Sequence, residues 1–265
     1  MTQKDNKNNM SFHFQHPLKT KPVIADFDAY ADVEGRYPRT IGNDYMLPSG
    51  LRRLFEFGVM TVEADERALF MFERRHGFTK LRFRLLDIAA EIATQEELLA
   101  TYLTYHENRY PDIAANWLLS QGFIKSHTMQ RHSAAKVTGI LSTEGVERAS
   151  AEEAYAELCR HFSFIEADLS CRELFEGALC VRSSLGKPLG MLYMGQTLSI
   201  AVAAEARGKG VGQRLYRAYA AYMLLNNNKT VFHEWIHPDN IASIKMFSHL
   251  GFSADKVFTD CYVKS

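Results

Sequence analysis

The sequence of 265 residues predicts an α/β fold in which strands and helices are mixed along the chain. Pairs of short apolar segments joined by turn-length connections predict β-hairpins in both halves. The stretch from Leu198 to Val263 alternates strand and helix patterns, which is typical of this fold class. Two helical segments that each end in Gly-Phe, Pro111–Phe123 and Asn240–Phe252, start 129 residues apart. This spacing, close to half the chain, indicates either an internal duplication or a coincidence of common helix-ending residues.

The first half combines an irregular start with a hairpin and helices. Residues 1–22 are polar, lack the apolar stretch of a signal peptide and are expected to form a loose tail. Residues 23–135 are expected to form the first domain, and its opening stretch to residue 58 carries turn residues without a clear period. We then expect two strands and two helices, at 67–73, 79–87, 94–105 and 111–120. Thr94 and Glu97 would form a capping box for the first of these helices.

The second half, residues 136–265, is expected to form a second domain. A capping box at Ser150 and Glu153 predicts a helix that ends near His161. The pattern then predicts two hairpin strands, a third strand, a helix, a strand, a helix and a last strand, at 179–183, 189–194, 198–202, 211–225, 230–236, 240–250 and 257–263.

Composition excludes some classes of function. Hydrophobic residues make up 46% and charged residues 23%, as in ordinary globular proteins, and 31 basic residues balance 31 acidic ones. A formal net charge of zero argues against a nucleic-acid partner, and no apolar run approaches the ~20 residues of a membrane span. The four cysteines form no CxxC pair and no metal-ligand spacing, so we expect free thiols, no metal and a cytoplasmic location.

A glycine-rich turn carries the clearest chemical signal. Arg207-Gly208-Lys209-Gly210-Val211-Gly212 follows a strand and leads into a helix. Its glycines allow a tight turn that presents consecutive backbone N–H groups, and the helix adds the positive end of its dipole. Such a turn suits a pyrophosphate, to which Arg207 and Lys209 would add charge. Taken alone, a glycine-rich turn before a helix is structural about as often as it is functional.

The wider pattern resembles the GNAT superfamily of N-acetyltransferases. The family's pyrophosphate motif, (R/Q)xxGx(G/A), is matched by Arg207, Gly210 and Gly212. Its later motif, which runs from Asn-x-x-(Ala/Ser) to Gly-Phe, is similar to Asn240, Ser243 and the closing Gly251-Phe252. The resemblance is strongest from Leu198 to Phe252. The first half has no such loop and resembles a degenerate half-domain of the same fold; an unrelated N-terminal domain is the alternative.

The resemblance implies a mixed, mostly antiparallel sheet with helices on both faces, built as a tandem of two such halves. Strands 198–202 and 230–236 would splay apart into a V that holds the pantetheine arm of acetyl-CoA. The cofactor would lie against the strand backbone and the loop, and further along against the helix that starts at Asn240. The residues so implied are Ile200, Val202, Arg207, Gly208, Lys209, Gly210, Val211, Gly212, Asn240, Ser243 and Phe247. A backbone N–H near Val202 would polarise the thioester carbonyl.

The implied reaction is direct attack of a primary amine on the thioester. Because such an amine arrives protonated, a base or a desolvating site must remove a proton. The candidate bases on or just after the strand at 230–236 are His233, Glu234 and His237. His233 and Glu234 face opposite ways in an alternating strand, so only one of the two reaches the cleft. We favour Glu234 acting through water; the alternative is a carboxylate with a structural role.

One position departs from the family pattern. The family often has a tyrosine four residues before the Gly-Phe glycine, placed to protonate the departing CoA thiolate, and here that position is Phe247. A thiolate leaves fairly well unaided, because thiols have a pKa near 8.5. Tyr262 is our candidate for a replacement acid, with Tyr216 and Tyr219 as alternatives, although each tyrosine could equally serve packing.

We therefore expect an acyl-CoA-dependent N-acetyltransferase whose acceptor is a small-molecule amine or a protein amine. The rival hypothesis is a non-catalytic acyl-CoA sensor, for which the missing tyrosine at Phe247 would be natural. The acceptor pocket is built from loops that follow no general code, so the sequence leaves the acceptor open. A homodimer is one of the assemblies that the sequence allows.

Overall fold

The computed structural model describes residues 23–37, 41–43, 48–75, 77–93, 98–161, 177–194, 198–227 and 230–265. The expected tail at residues 1–22 and the capping box at Thr94 and Glu97 lie outside these residues. Within the described part of the chain, no helix has both the length and the apolar character that crossing a membrane requires.

The first half contains six strands and three helices among its described residues. They are, in chain order, β1 (Val23–Ile24), α1 (Phe27–Glu34), α2 (Pro48–Glu56), β2 (Met60–Ala64), β3 (Ala68–Arg74), β4 (Thr79–Leu85), β5 (Leu99–His106), α3 (Asp112–Ser120) and β6 (Ile124–Ala134). The predicted hairpin and the helix at α3 are confirmed. α1 and α2 were not predicted.

The second half follows the predicted order of elements. They are β7 (Glu147–Ala149), α4 (Ala151–His161), β8 (Gly177–Arg182), β9 (Pro188–Met194), β10 (Ser199–Val202), a 3₁₀ turn (Ala204–Ala206), α5 (Val211–Asn227), β11 (Phe232–Ile236), α6 (Ile241–His249) and β12 (Ser253–Lys264). Every element predicted here is present, and the last strand starts four residues earlier than expected.

The helix predicted at 94–105 is wrong, because residues 99–106 form strand β5. This segment pairs over its whole length with β12, from Leu99 opposite Lys264 to His106 opposite Val257. Its β-branched and aromatic residues suit a strand, and the pairing partner lies more than 150 residues away in sequence. Tertiary pairing therefore overrides the local helical pattern.

The strands form two sheets that are mostly antiparallel. The larger has the order β1-β2-β3-β4-β5-β12-β6-β11, and the smaller has the order β10-β9-β8-β7. Among the described strands, β4 and β5 are the parallel pair, and they share only two residue pairs, at Thr79 and Lys80. The mixed sheet predicted from the resemblance is confirmed.

Helices cover both faces of each half. On β8 and β9, alternate residues such as Ala178 and Tyr193 pack with Ala154 of α4, whereas Leu179 and Leu192 pack toward α5. The first half repeats this arrangement on β3: one face packs against α1 and α2, and the other against α3. Side chains alternate between the faces of a strand, so each strand contributes to two cores.

Strands β6 and β12, the last strands of the two halves, link the halves because each pairs with strands of the other half, an arrangement we call the strand exchange. β12 lies between β5 and β6 of the first half, while the far end of β6 lies between β12 and β11 of the second. β12 begins at Ser253, 129 residues after β6 begins at Ile124, which is the same offset that separates the two helix-Gly-Phe segments. The repeat noticed in the sequence therefore extends into the strands that follow the helices, and the sheet is continuous across the expected domain boundary near residue 135.

The space where β4 and β5 diverge is filled by the chain itself. Gly42 forms an antiparallel bridge with Arg84 of β4, and Asn43 donates its backbone N–H to the carbonyl of Phe83. The Asn43 side chain, 6% exposed, donates to the carbonyls of Leu81 and Tyr102 at 3.2 and 3.1 Å. Residues 41–43, which we call the plug segment, thereby join the two splayed strands.

Candidate functional site

Strands β10 and β11 both have an edge that no described strand covers, and we call the space between them the strand gap. Among the described strands, β10 ends its sheet and pairs with β9, while β11 ends the other sheet and pairs with β6. Backbone groups along a sheet edge need partners, so an extended ligand can add to such an edge as a further strand. This arrangement agrees with the V expected from the resemblance.

The register of β10 determines which backbone groups face the strand gap. Ala203 donates its N–H to Leu189, the residue directly opposite on β9. Hydrogen-bonded and non-bonded positions alternate along an antiparallel pair, so Ile200 and Val202 direct their N–H and C=O groups away from β9. These are the two strand residues predicted to hold the pantetheine arm. The Val202 carbonyl accepts a hydrogen bond from Arg207 Nε at 3.3 Å.

Residues Arg207–Gly212, which we call the glycine loop, connect the end of β10 to α5. Gly208 and Gly210 have φ angles of 73° and 78°, a left-handed conformation that favours glycine. A Cβ at either position would meet no protein atom within 4 Å, so the loop presents open backbone there. Gly212 suits its position for another reason, which is close packing: a Cβ there would lie 2.6 Å from the Met246 sulfur of α6.

The start of α5 supplies unpaired amides and a positive dipole at this loop. The helix begins at Val211. Arg214 donates its backbone N–H to the carbonyl of Gly210, the loop residue just before the helix. Amides of the first turn therefore have no intrahelical acceptor. Arg207 and Lys209 are exposed beside them. The combination suits a phosphate or pyrophosphate.

Asn240 and Ser243 shape the start of α6. Asn240 is the N-cap residue, and its side-chain oxygen accepts a hydrogen bond from Ser243 N–H at 3.0 Å. Capping of this kind typically contributes ~1 kcal/mol to helix stability. The spacing Asn-x-x-Ser thus has a local structural reason, whatever it contributes to a cofactor.

Phe247 lies in the core, where it meets Tyr216 and Phe252. Its ring is 6% exposed, with its centroid 5.0 Å from that of Tyr216 and 5.1 Å from that of Phe252. The Tyr216 phenol, fully buried, donates a hydrogen bond to Glu234 Oε1 at 2.5 Å. Burial, followed by the nearby Glu234 charge, raises the pKa of Tyr216, so the phenol remains a proton donor. The structure thus links Phe247, through Tyr216, to the predicted base Glu234.

Tyr262 is far from these residues. Along β6, Tyr262 pairs with Lys125 and Glu234 pairs with His132, so seven residues separate them, or ~23 Å of strand. Its ring packs in the core beneath α3, and its hydroxyl lies 2.7 Å from that of Tyr110. The structure does not bring our candidate acid together with the glycine loop, because β12 carries it into the first half.

A buried carboxylate next to Tyr262 was missed in the sequence. Asp260, fully buried, accepts hydrogen bonds from Thr128, Tyr110 and Tyr105 at 2.7, 3.0 and 3.2 Å, and Lys125 Nζ lies 2.8 Å from Oδ2. Burial, together with the Asp260 charge, raises the pKa of Tyr105 to about 12. Its partners come from three separate segments, so no local pattern signals the cluster. Fully hydrogen-bonded, it stabilises the joint between β5, β6 and β12.

The face of β11 opposite Glu234 carries a second polar arrangement. His233 Nδ1 lies 2.6 Å from Ser133 Oγ of β6, and Ser133 also donates to Asp255 of β12. Arg131 Nε lies 2.5 Å from the same Asp255 oxygen. His233 was among the candidate bases, but Ser133 and Asp255 were missed because about 100 residues separate Ser133 from its partners. His237, the third candidate, accepts from the N–H of Asp239 at 3.1 Å.

The described side chains include no group of three or more His, Cys, Asp or Glu residues arranged to hold a metal ion. Cys180 and Cys261 are buried free thiols, as expected from the spacing. Cys159 and Cys171 lie outside the side chains that the structure describes.

Residues 150–252 match the family model described as the acetyltransferase (GNAT) family. No curated protein matches the chain.

Several solved structures share the fold over most of the chain. One is a candidate acetyltransferase from Pyrococcus horikoshii, with a TM-score of 0.55 at 9% identity, covering 97% of this chain and 93% of that one. A Drosophila protein has a TM-score of 0.54 at 16% identity, covering 90% and 86%. A tandem GNAT protein from the clavulanic acid biosynthesis pathway has a TM-score of 0.52 at 13% identity, covering 90% and 93%. Identities this low establish a shared fold alone.

Proposed function

We propose that this chain is an N-acetyltransferase that uses acetyl-CoA, because residues 150–252 match the model of the acetyltransferase (GNAT) family. The observation that carries the proposal is the open backbone edge at Ile200 and Val202, which leads directly into the glycine loop. An extended pantetheine arm would add to this edge, and the pyrophosphate would meet the amides at the start of α5. No metal enters the reaction that we propose.

In the proposed reaction a primary amine attacks the thioester carbonyl carbon. The nitrogen–carbon bond forms, the carbon–sulfur bond breaks, and the sulfur leaves as thiolate and takes up a proton to give CoA. Of the three ammonium hydrogens, the acceptor nitrogen keeps one as an amide, one ends on the CoA sulfur and one passes to solvent. A backbone N–H at Val202 that faces the gap would stabilise the charge that develops on the carbonyl oxygen. The acceptor is a small-molecule amine or a protein amine.

We further propose that each chain binds one acetyl-CoA, in the second half. In the first half the plug segment already occupies the space between the diverging strands β4 and β5. The Asn43 side chain donates hydrogen bonds there to the carbonyls of Leu81 and Tyr102. A Cβ at Gly42 would lie 2.3 Å from the Phe83 carbonyl oxygen, so the segment fits closely against β4. This half then supports the fold and shapes the surroundings of the second-half site.

The buried free thiols Cys180 and Cys261 support a location in the reducing cytoplasm. Cys180 is fully buried, and burial raises the pKa of its thiol to about 11, so it stays an unreactive thiol.

Two measurements on the purified chain test the proposed function. Calorimetry with acetyl-CoA should give saturable binding with one site per chain. Release of free CoA thiol should then be followed with a panel of primary amines, each compared with a reaction that lacks the amine. Amine-dependent thiol release supports the transferase, whereas tight binding without release by any amine would favour an acyl-CoA sensor. Absence of binding would overturn both.

A further inference from the structure

Strands β6, β11 and β12 place a serine, a histidine and a carboxylate in a chain of contacts. His233 of β11 is exposed, and its Nδ1 lies 2.6 Å from the Ser133 hydroxyl oxygen of β6. Ser133 donates its hydroxyl proton to Oδ2 of Asp255 on β12, whose other close partner is Arg131 Nε at 2.5 Å. The residues are distant in sequence and are assembled by the strand exchange.

The directions of these hydrogen bonds fix where the protons lie. Burial alone would raise the pKa of Asp255, but the hydrogen bonds from Ser133 and Arg131 and the Arg131 charge hold it below the usual value. The carboxylate is therefore ionised and can only accept. Ser133 has one hydroxyl proton, which it gives to Asp255, so its oxygen must accept from His233. In neutral His233 the proton then lies on Nδ1, and the lone pair on Nε2 is available.

The position of His233 on β11 matches that of a base for an incoming amine. β11 forms one wall of the strand gap, and successive side chains of a strand point to opposite faces. Glu234 points toward α5, where the buried Tyr216 donates to it. His233 points to the other face, which is exposed. Its imidazole is therefore open to an acceptor, while the Glu234 carboxylate is engaged in the interface with the helix.

We propose that His233 is the general base of the acetyl transfer, with Ser133 and Asp255 as positioning residues that hold its Nε2 unprotonated; this rests on the function proposed above. Nε2 takes one proton from the acceptor ammonium, directly or through one water, and the neutral amine attacks the thioester. As the carbon–sulfur bond breaks, the nitrogen loses a second proton and becomes an amide; this proton ends on the departing thiolate to give CoA, and His233 releases the first proton to solvent. No oxidant, reductant or metal is needed for this balance.

The tautomer of His233 is the first test, and it needs neither cofactor nor acceptor. In the ¹⁵N-labelled wild-type chain, long-range nitrogen–proton correlations should identify a neutral ring with the proton on Nδ1. In Ser133→Ala the tautomer with the proton on Nε2 should appear, and Ser133→Thr, which keeps the hydroxyl, should restore the wild-type spectrum. A wild-type ring protonated on Nε2 would overturn the positioning chain.

Measurements of kcat distinguish a catalytic role of His233 from a structural one. His233→Asn removes Nε2 and should lower kcat by ~10²-fold or more, as expected for loss of a general base, while acetyl-CoA affinity stays within about two-fold. His106→Asn, which changes an exposed histidine at the end of β5, is the matched control and should keep wild-type kcat. Ser133→Ala should lower kcat with little change in KM for acetyl-CoA, and Ser133→Thr should recover part of it.

Glu234→Gln distinguishes the two candidate bases. The proposal requires His233→Asn to cost more in kcat than Glu234→Gln; the reverse order, with both variants folded by circular dichroism, assigns the proton transfer to Glu234. If acetyl-CoA does not bind to the wild-type chain, the acetyltransferase and its base are overturned together. The spectroscopic result on His233 would still stand as a statement about this chain.

Discussion

Tyr216 of α5 donates its phenol proton to Glu234 of β11, so the helix that follows the glycine loop is tied to the far wall of the strand gap. The bond lies beside Phe247, whose ring meets the Tyr216 ring edge-on at 5.0 Å. The three residues come from three separate elements, and together they fix the spacing between α5, α6 and β11. Phe247, which the sequence predicted to contact the cofactor, therefore belongs to the core of the second half.

Removal of the phenol should destabilise the fold. Tyr216→Phe leaves Glu234, a charged group at a buried interface, without this donor, and loss of such a bond costs ~1–3 kcal/mol. We expect a lower urea midpoint with an unchanged m-value, measured by circular dichroism. Tyr222→Phe, a change at another tyrosine of the same helix, is the control and should shift the midpoint less. Equal midpoints for Tyr216→Phe and the wild type would show that the bond adds nothing to stability.

The same tyrosine should make stability depend on alkaline pH. Burial and the Glu234 charge raise the pKa of Tyr216 in the folded chain above its value of 10.0 for an unperturbed tyrosine. The unfolded chain therefore releases this proton first, so the stabilisation is complete below about pH 10 and is lost as the pH rises toward the folded value. The free energy of unfolding should fall above pH ~10. That fall should be shallower in Tyr216→Phe, and equal slopes would contradict the assignment.

Local pattern predicted the elements that are stabilised locally. The hairpin of β8 and β9, the helices α5 and α6 and the glycine loop between β10 and α5 are all where the sequence places them, because turn residues, caps and periodicity act over a few positions. β5 was mistaken for a helix because its stabilising partner, β12, is the last strand of the chain.

The site shows the same division between local and distant effects. The glycine loop and the capping pair Asn240 and Ser243 can be recognised from spacing. By contrast, the plug segment and the contact between His233 and Ser133 bring together residues that lie about 40 and 100 positions apart. The strand exchange, which carries Tyr262 away from the glycine loop, also depends on pairing between distant parts of the chain.

Replacing Gly210 should weaken acetyl-CoA binding strongly. Gly210→Val strains a residue at φ 78° and puts a side chain into the open space in front of the first α5 amides. Gly186→Val is a matched control, because Gly186 has φ 79°, also has nothing within 4 Å of a Cβ, and lies in the β8–β9 turn. Calorimetry should show loss of binding for the first variant and wild-type affinity for the second. Unchanged affinity in Gly210→Val would exclude this loop as the phosphate site.

The plug segment leads to a prediction about stoichiometry. Asn43→Ala removes the side chain that donates to the carbonyls of Leu81 and Tyr102 and accepts from Phe83 N–H at 2.7 Å, and loss of such a buried hydrogen bond costs ~1–3 kcal/mol. The variant should be less stable by urea unfolding, yet acetyl-CoA should still bind with one site per chain. Two equivalent sites in the wild type would contradict the plug segment as an occupant of the first-half gap.

Phe247→Tyr should lower the stability of the fold. The family's tyrosine at this position would lie beside the departing thiolate, but Phe247 is 6% exposed and is surrounded by the rings of Tyr216 and Phe252. A hydroxyl placed there either finds Glu234 in competition with Tyr216 or stays unpaired, at ~1–3 kcal/mol. The urea midpoint should fall, and Phe247→Leu, without a new polar group, provides the comparison. A more stable Phe247→Tyr would indicate that the ring edge reaches the strand gap.

Tyr262→Phe decides whether that tyrosine protonates the CoA thiolate, as the sequence first indicated. Its hydroxyl lies 2.7 Å from that of Tyr110. The β6 residue paired with Tyr262 lies ~23 Å along that strand from the β6 residue paired with Glu234. Proton transfer requires hydrogen-bond reach, so the variant should keep wild-type kcat with every amine that the enzyme accepts. It should lose ~1 kcal/mol of stability, the typical contribution of one hydrogen bond.

Tyr110→Phe, which removes the other hydroxyl of the pair, is the control and should behave like Tyr262→Phe in both assays. A 10²-fold loss of kcat in Tyr262→Phe alone, at unchanged acetyl-CoA affinity, would restore Tyr262 as the acid and require the two halves to rearrange during turnover.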